Sequence, residues 1–139
     1  MAERLSAPAP AKINLTLEVA GRRDDGFHEL ATILQTLALS DHVTIELDSQ
    51  EPGVYLTGPF VEGTPSDSAN LAWRAAEELG NLTGRSLESL QIAIDKQIPP
   101  AGGLGGGASD AATTLRLLQS AWAANDGQVL DAANAVGSD

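Results

Sequence analysis

Residues 11–20 alternate strictly between apolar and polar positions. Ile13, Leu15, Leu17 and Val19 fall on one side, and Lys12, Asn14, Thr16 and Glu18 on the other. A period of two predicts a half-buried strand. Residues 21–26 are polar, bounded by Gly21 and Gly26, and predict a turn. Residues 27–39 carry two patterns at once. Leu30, Ile33, Leu34 and Leu37 suit one face of a helix, while the short β-rich pieces suit a strand pairing with the first. Residues 43–47 predict a strand and 53–58 a short one. Residues 70–79 predict a helix, with Leu71, Ala75 and Leu79 on one face and Gly80 as its stop. Residues 90–96 predict a strand with Leu90, Ile92 and Ile94 inward. A helix over 109–123 carries the stripe Ala111, Ala112, Leu115, Leu118 and Trp122, and another follows over 129–136. Strands come mainly first and helices later, which predicts α+β rather than a doubly wound sheet.

Composition narrows this picture. A chain of 139 residues suits one domain spanning 1–139, and 42% hydrophobic residues can bury a core. Aromatic residues are only 4%, so that core must be Leu, Val, Ile and Ala. There is no cysteine, which excludes disulfides and thiolate metal sites. No run approaches the roughly 18 apolar residues that span a bilayer, and the N-terminus lacks the apolar stretch of a signal peptide. A soluble, cytoplasmic protein is expected. The net charge of −11 repels nucleic acid and anionic membrane, so neither is expected as a partner. The same field repels a nucleotide unless cations are placed locally. Lys12 and Lys96 are the only lysines.

Between the 90–96 strand and the helix after it lie Pro99, Pro100, Ala101, Gly102, Gly103, Leu104, Gly105, Gly106, Gly107, Ala108 and Ser109. Five of the six residues 102–107 are glycine. Such a run adds no side-chain packing and loses entropy on folding, so it belongs where backbone approaches something closely. It enters a helix N-terminus, whose unpaired N–H groups and partial positive charge bind anions. Successive glycine N–H groups can also curl around phosphate oxygens. Ser109 is placed to cap the helix or contact a phosphate, and Asp110 to complement the dipole in the first turn. The pattern G-x-x-x-x-G-K-[ST] is absent. A dinucleotide fingerprint is nearly matched in its G-x-G-x-x-A form by Gly103, Gly105 and Ala108. Pro99 and Pro100 interrupt the strand-to-glycine junction that this fingerprint needs, and no strand precedes Asp126.

Pro-x-x-Gly-Gly-Leu-Gly-Gly-Gly-x-Ser-Asp-Ala-Ala resembles the phosphate loop of the GHMP kinase superfamily, the galactokinase–homoserine–mevalonate group. Two further segments, Pro10-Ala-Lys-Ile-Asn-Leu15 and Arg23-Asp-Asp-Gly-Phe-His28, occur in the right order. They are similar to the branch of that family acting on a cytidine-diphosphate-linked methylerythritol. The resemblance covers essentially the whole chain. It implies an α+β domain of the ribosomal S5 domain 2-like fold, the N-terminal domain of a two-domain kinase whose second domain is absent from this chain. It implies ATP as co-substrate, with Mg²⁺, and a small-molecule acceptor carrying a cytidine diphosphate group. It assigns Lys12 and Asp139 to catalysis, with Asp139 as general base. It assigns Asn14, Phe27 and His28 to the substrate, the ring of Phe27 stacking on cytosine. Asn70 and Lys96 match the region around adenine and ribose. No residue is assigned as a metal ligand. Ala108 and Phe27 depart from the family's usual hydroxyl residue and tyrosine.

Three other readings stand beside this one. The chain is a nucleotide-binding module without catalysis, a kinase of a sister GHMP group such as mevalonate or homoserine kinase, or a dinucleotide-dependent oxidoreductase. Oligomeric state is not legible in the sequence.

Overall fold

The computed structural model describes residues 3–22, 28–100 and 103–137. The alternating first third of the chain becomes two long strands, β1 (Arg4–Arg22) and β2 (His28–Glu46). They pair antiparallel from Arg4 opposite Glu46 to Arg22 opposite His28. The ambiguous segment after the turn is therefore strand. Its helical spacing is overruled because β1 offers the backbone groups facing it an antiparallel ladder. The ambiguous segment and the strand read at 43–47 are parts of one strand, His28–Glu46.

β3 (Gly53–Thr57), α1 (Leu71–Thr83) and β4 (Gln91–Asp95) form a strand–helix–strand unit, with β3 and β4 parallel neighbours. β4 also pairs antiparallel with the inner end of β2, His42 opposite Asp95 through Glu46 opposite Gln91. The sheet order is β1-β2-β4-β3. α2 (Gly106–Trp122) and α3 (Asp126–Val136) complete the domain. This mixed sheet with a helical layer is the expected α+β architecture.

Alternate strand residues, Val43 and Ile45 on β2 and Ile92 and Ile94 on β4, meet Leu79 of α1 and Leu115, Leu118 and Trp122 of α2 in one core. Several element boundaries and one strand face differ from the sequence reading: β1 begins at Arg4 rather than 11 and α3 at Asp126 rather than 129. Gly80 does not stop α1. It is buried inside it, because a Cβ there would lie 2.8 Å from Leu87 Cδ1 and 2.9 Å from the Arg85 carbonyl. Gly84, at φ 75°, is the cap. α2 starts at Gly106 rather than Ser109, so the last two glycines of the run are helical. Leu15 does not face a core, being 55% exposed. The β1–β2 pair outruns the sheet there, and no helix covers it.

Candidate functional site

Two devices bring distant residues to the glycine run. The first is a bulge in the β1–β2 ladder, where Pro10 pairs with Ser40 but Lys12 with Thr36. A bulge re-aims the chain beside it. The Lys12 N–H donates to the Leu104 carbonyl at 2.9 Å. The Lys12 side chain then lies along Gly105, where a Cβ would come within 3.0 Å of its Cε. Gly105 is the N-cap of α2 at φ 72°, a left-handed conformation that favours glycine.

The second device is a buried trio of charges. Asp41 of β2 is fully buried. Its Oδ1 accepts the backbone N–H groups of Gln97 and Ile98 at 2.7 and 2.9 Å. Its Oδ2 accepts from Lys96 Nζ at 2.6 Å. The same ammonium donates to Asp110 Oδ2 on α2 at 2.7 Å. Asp41 thus pins the exit of β4, and Lys96 ties that exit to the start of α2. A Cβ on Gly106 would lie 3.1 Å from Ile98 and 3.5 Å from Lys96 Nζ, and one on Gly107 3.2 Å from Leu71. Side chains at these two glycines would crowd Ile98 and Leu71, so packing beneath the helix end favours glycine there.

Burial pushes the Asp110 carboxyl up to about 8, helped by its hydrogen bond to Asp41 and only partly opposed by Lys96. Burial also acts on Asp41. There, hydrogen bonds from Asp110, Lys96 and the Ile98 N–H outweigh it and hold the carboxyl below its ordinary value. Lys96 is likewise desolvated, but its bonds to Asp110 and Asp41 prevail and raise it. The surroundings thus pull the two carboxyls apart, favouring the ionised form of Asp41 and the protonated form of Asp110. Asp110 Oδ1 is buried without a hydrogen-bond partner.

A cleft of about 360 Å³ opens over this arrangement, lined by Gly103 through Ala108, Pro99, Pro100, Lys96, Asp110, Asn70 and the 63–65 segment. The N–H groups of Gly106, Gly107 and Ala108 precede the first helical bond, which Ser109 donates to Gly105 at 2.9 Å. They are the unpaired donors at the N-terminus of α2, the kind of group suited to an anion.

The remaining candidates sort as follows. Asn70 lines the cleft and caps α1. Its Oδ1 accepts from Ala72 N at 2.9 Å and its Nδ2 donates to the Pro65 carbonyl at 2.8 Å. Its direct effect is to hold the cleft wall. Lys96 lines the cleft while its ammonium is held by two carboxylates. Ser109 is the fourth residue of α2, so it is not the cap, and it does not line the cleft. Asp110 is not a first-turn charge on a free helix end but a buried partner of Lys96. Asn14 is exposed on β1 opposite Leu34, outside the cleft. His28 opens β2 opposite Arg22. Phe27, Ala101, Gly102 and Asp139 lie outside the described residues.

Asp41 was not legible as a site residue. Its one signal is phase: it stands two positions before Val43 and four before Ile45, on the buried side of β2. His42 next to it is exposed.

Comparison with known proteins agrees with this geometry. Residues 70–139 match the family model described as the GHMP kinases N terminal domain. The 4-diphosphocytidyl-2-C-methyl-D-erythritol kinase of Marinobacter nauticus is 46% identical over 125 residues, 90% of this chain and 43% of that protein. The protein of the same name from Pseudomonas aeruginosa is 48% identical over 122 residues, 88% of this chain and 42% of its own. A crystal structure of 4-(cytidine 5'-diphospho)-2C-methyl-D-erythritol kinase superposes with a TM-score of 0.73 at 36% identity, covering 97% of this chain and 47% of that one. The chain thus spans less than half the length of these relatives. With its glycine-capped α2, its two converging lysines and a family match over half its length, the chain belongs to the GHMP kinase family and carries that family's N-terminal domain.

Proposed function

We propose that this domain binds ATP in the cleft over α2, as part of a small-molecule kinase. The acceptor is the 2-hydroxyl of 4-(cytidine 5'-diphospho)-2-C-methyl-D-erythritol, in non-mevalonate isoprenoid precursor biosynthesis. The carrying observation is the convergence of Lys12 and Lys96, the chain's only lysines, on a glycine-capped helix N-terminus. In a chain of net charge −11 this is where a phosphate chain finds unpaired backbone donors, with Lys12 packed beside them and the Lys96 charge balanced beneath by Asp41. The names of the relatives supply the acceptor.

In this reading the N–H groups of Gly106, Gly107 and Ala108 hold the phosphates. Asp139 takes the acceptor's hydroxyl proton, the oxygen forms a bond to the γ-phosphorus, and the bond to the β-phosphate oxygen breaks to release ADP. Lys12 keeps Asp139 ionised and balances charge on the phosphoryl group in transit. Phe27 and His28 hold cytosine by stacking and hydrogen bonding, and Asn14 stands near the acceptor. Mg²⁺ would arrive on the nucleotide, held by its phosphates and water as such sites commonly hold it. The described residues contain no cluster of three or more His, Asp or Glu that would hold it unaided. The described residues also contain no helix long and apolar enough to cross a membrane. A cytoplasmic setting belongs to the same reading.

Calorimetry with a non-hydrolysable ATP analogue tests the nucleotide, and ATP-dependent phosphorylation of the cytidine-diphosphate substrate tests the reaction. Lys12→Ala should lower turnover by about 100-fold or more, the scale of one lost electrostatic contact to a transition state. Turnover within a few-fold of the parent would remove Lys12 from the mechanism. Faster phosphorylation of mevalonate or homoserine would assign a sister GHMP kinase instead.

A further inference from the structure

The trio beneath the loop holds two carboxylates and one ammonium, all nearly inaccessible to solvent. Written with every group ionised, it places one unbalanced negative charge under the N-terminus of α2. That charge would sit where the proposed nucleotide brings several more. Asp110 is the group that can relieve it. Its Oδ2 accepts from Lys96, and its Oδ1 is buried with no hydrogen-bond partner. An ionised carboxylate buried with one bare oxygen is the costlier state, and burial beside the Asp41 carboxylate favours the neutral acid. Asp41 has the opposite surroundings, with two backbone N–H groups and an ammonium donating to it.

We propose that Asp110 is a positioning residue of the nucleotide site that acts through Lys96: it must hold its proton for the loop above to accept a phosphate chain. With Asp110 neutral, Asp41 and Lys96 balance, and the partial positive charge of α2 faces the cleft uncancelled. When Asp110 ionises, the floor turns negative and repels the ligand. Anion binding and the Asp110 proton are then linked, each favouring the other. This rests on the nucleotide reading above.

Among the described residues, the charged groups facing Asp110 are few. Asp41 comes from β2 and Lys96 from the end of β4. β1 brings Lys12, against Gly105. α1 presents Leu71 and alanines to α2, with Glu77 on its exposed side. Asp126 and Asp131 of α3 are exposed. The titration therefore belongs to the trio.

Binding of a non-hydrolysable ATP analogue is measured by calorimetry at pH 7 and pH 9 on the parent protein and on Asp110→Asn. The comparison cancels the nucleotide's own titration. The parent should weaken by about tenfold more than the variant between those pH values, the factor for one group titrating near pH 8 whose ionised form does not bind. Equal weakening of the two overturns the proposal and leaves the nucleotide reading intact. Absence of binding by the parent at pH 7 overturns both. Should Asp110→Asn fail to fold, the carbon-13 resonance of the Asp110 carboxyl is followed through pH in the parent. Its midpoint should move up when the analogue is added, and an unmoved midpoint overturns the proposal.

Discussion

Asp41 lies in phase with Val43 and Ile45, yet it is a carboxylate at an inward position of a strand. Burying a charge there is tolerated only because three donors meet it, two of them backbone groups at the exit of β4. Asp110 meets the same ammonium with fewer donors, so the two carboxyls part in behaviour. This predicts a pH signature in stability. Asp110 has its folded value near 8, above its ordinary 3.8. The native state therefore holds a proton that the unfolded chain releases across that window. Stability from this group is full below the ordinary value and declines as pH rises through the folded one, by at most about 1.4 kcal/mol per pH unit. Asp41 works the other way: its contribution is present above the ordinary carboxylate range and is lost as pH falls through its lowered value. Urea unfolding of the parent and Asp110→Asn at pH 5 and pH 8 checks the first effect. The parent should lose stability relative to the variant over that interval, and a constant difference would mean Asp110 is not protonated in the fold.

At the scale of elements, the strand–loop–helix passage from β4 to α2 is the part most legible in the sequence. A clean strand, a glycine run and an amphipathic helix stand in order, and their local propensities agree with the fold. What local pattern does not contain is which glycines answer to the backbone and which to a neighbour. Gly103 and Gly105 both stand at φ 72°, but a Cβ on Gly103 meets nothing within 4 Å while one on Gly105 meets Lys12. Gly103→Ala and Gly105→Ala should each cost about 1–2 kcal/mol in stability from the left-handed conformation alone. Gly105→Ala should also displace Lys12, and so depress phosphoryl transfer at least tenfold further than Gly103→Ala. Equal activities in the two variants would show that the packing of Lys12 on this glycine has no part in the reaction. The boundary errors at Gly80 and Ser109 have a similar origin. Gly80 is demanded by Leu87 and Arg85 across a turn, a tertiary constraint that looks in the sequence like a helix stop.

Across the whole molecule, stability is uneven because the sheet is uneven. The inner end of β2, residues 42–46, is held on both edges by β1 and β4. The stretch of β2 opposite Lys12 and Asn14 is paired only with β1. Leu15 and Leu34 of that ribbon are 55% and 59% exposed, so little apolar burial supports its ladder. Amide hydrogen exchange should be faster at residues 13–15 and 34–36 than at Val43, Ile45 and Ile92, by two orders of magnitude or more on the usual span of local against global opening. Comparable protection would show that something else covers the ribbon.

Periodicity and glycine punctuation were enough to determine the helical layer, the β3 and β4 strands and the glycine loop between strand and helix, because each depends on neighbours a few residues apart. The motifs also pointed to the family. Only the tertiary structure decided the strand identity of the segment after the turn, since its pairing partner lies on another strand. Only it joined Asp41 to Lys96, 55 positions apart, and set that pair against Asp110. Charge pairing in a core is governed by shared desolvation and donor count at one point in space. Spacing along a chain carries neither quantity, and so the glycine loop could be read in the sequence while the buried trio that supports it could not.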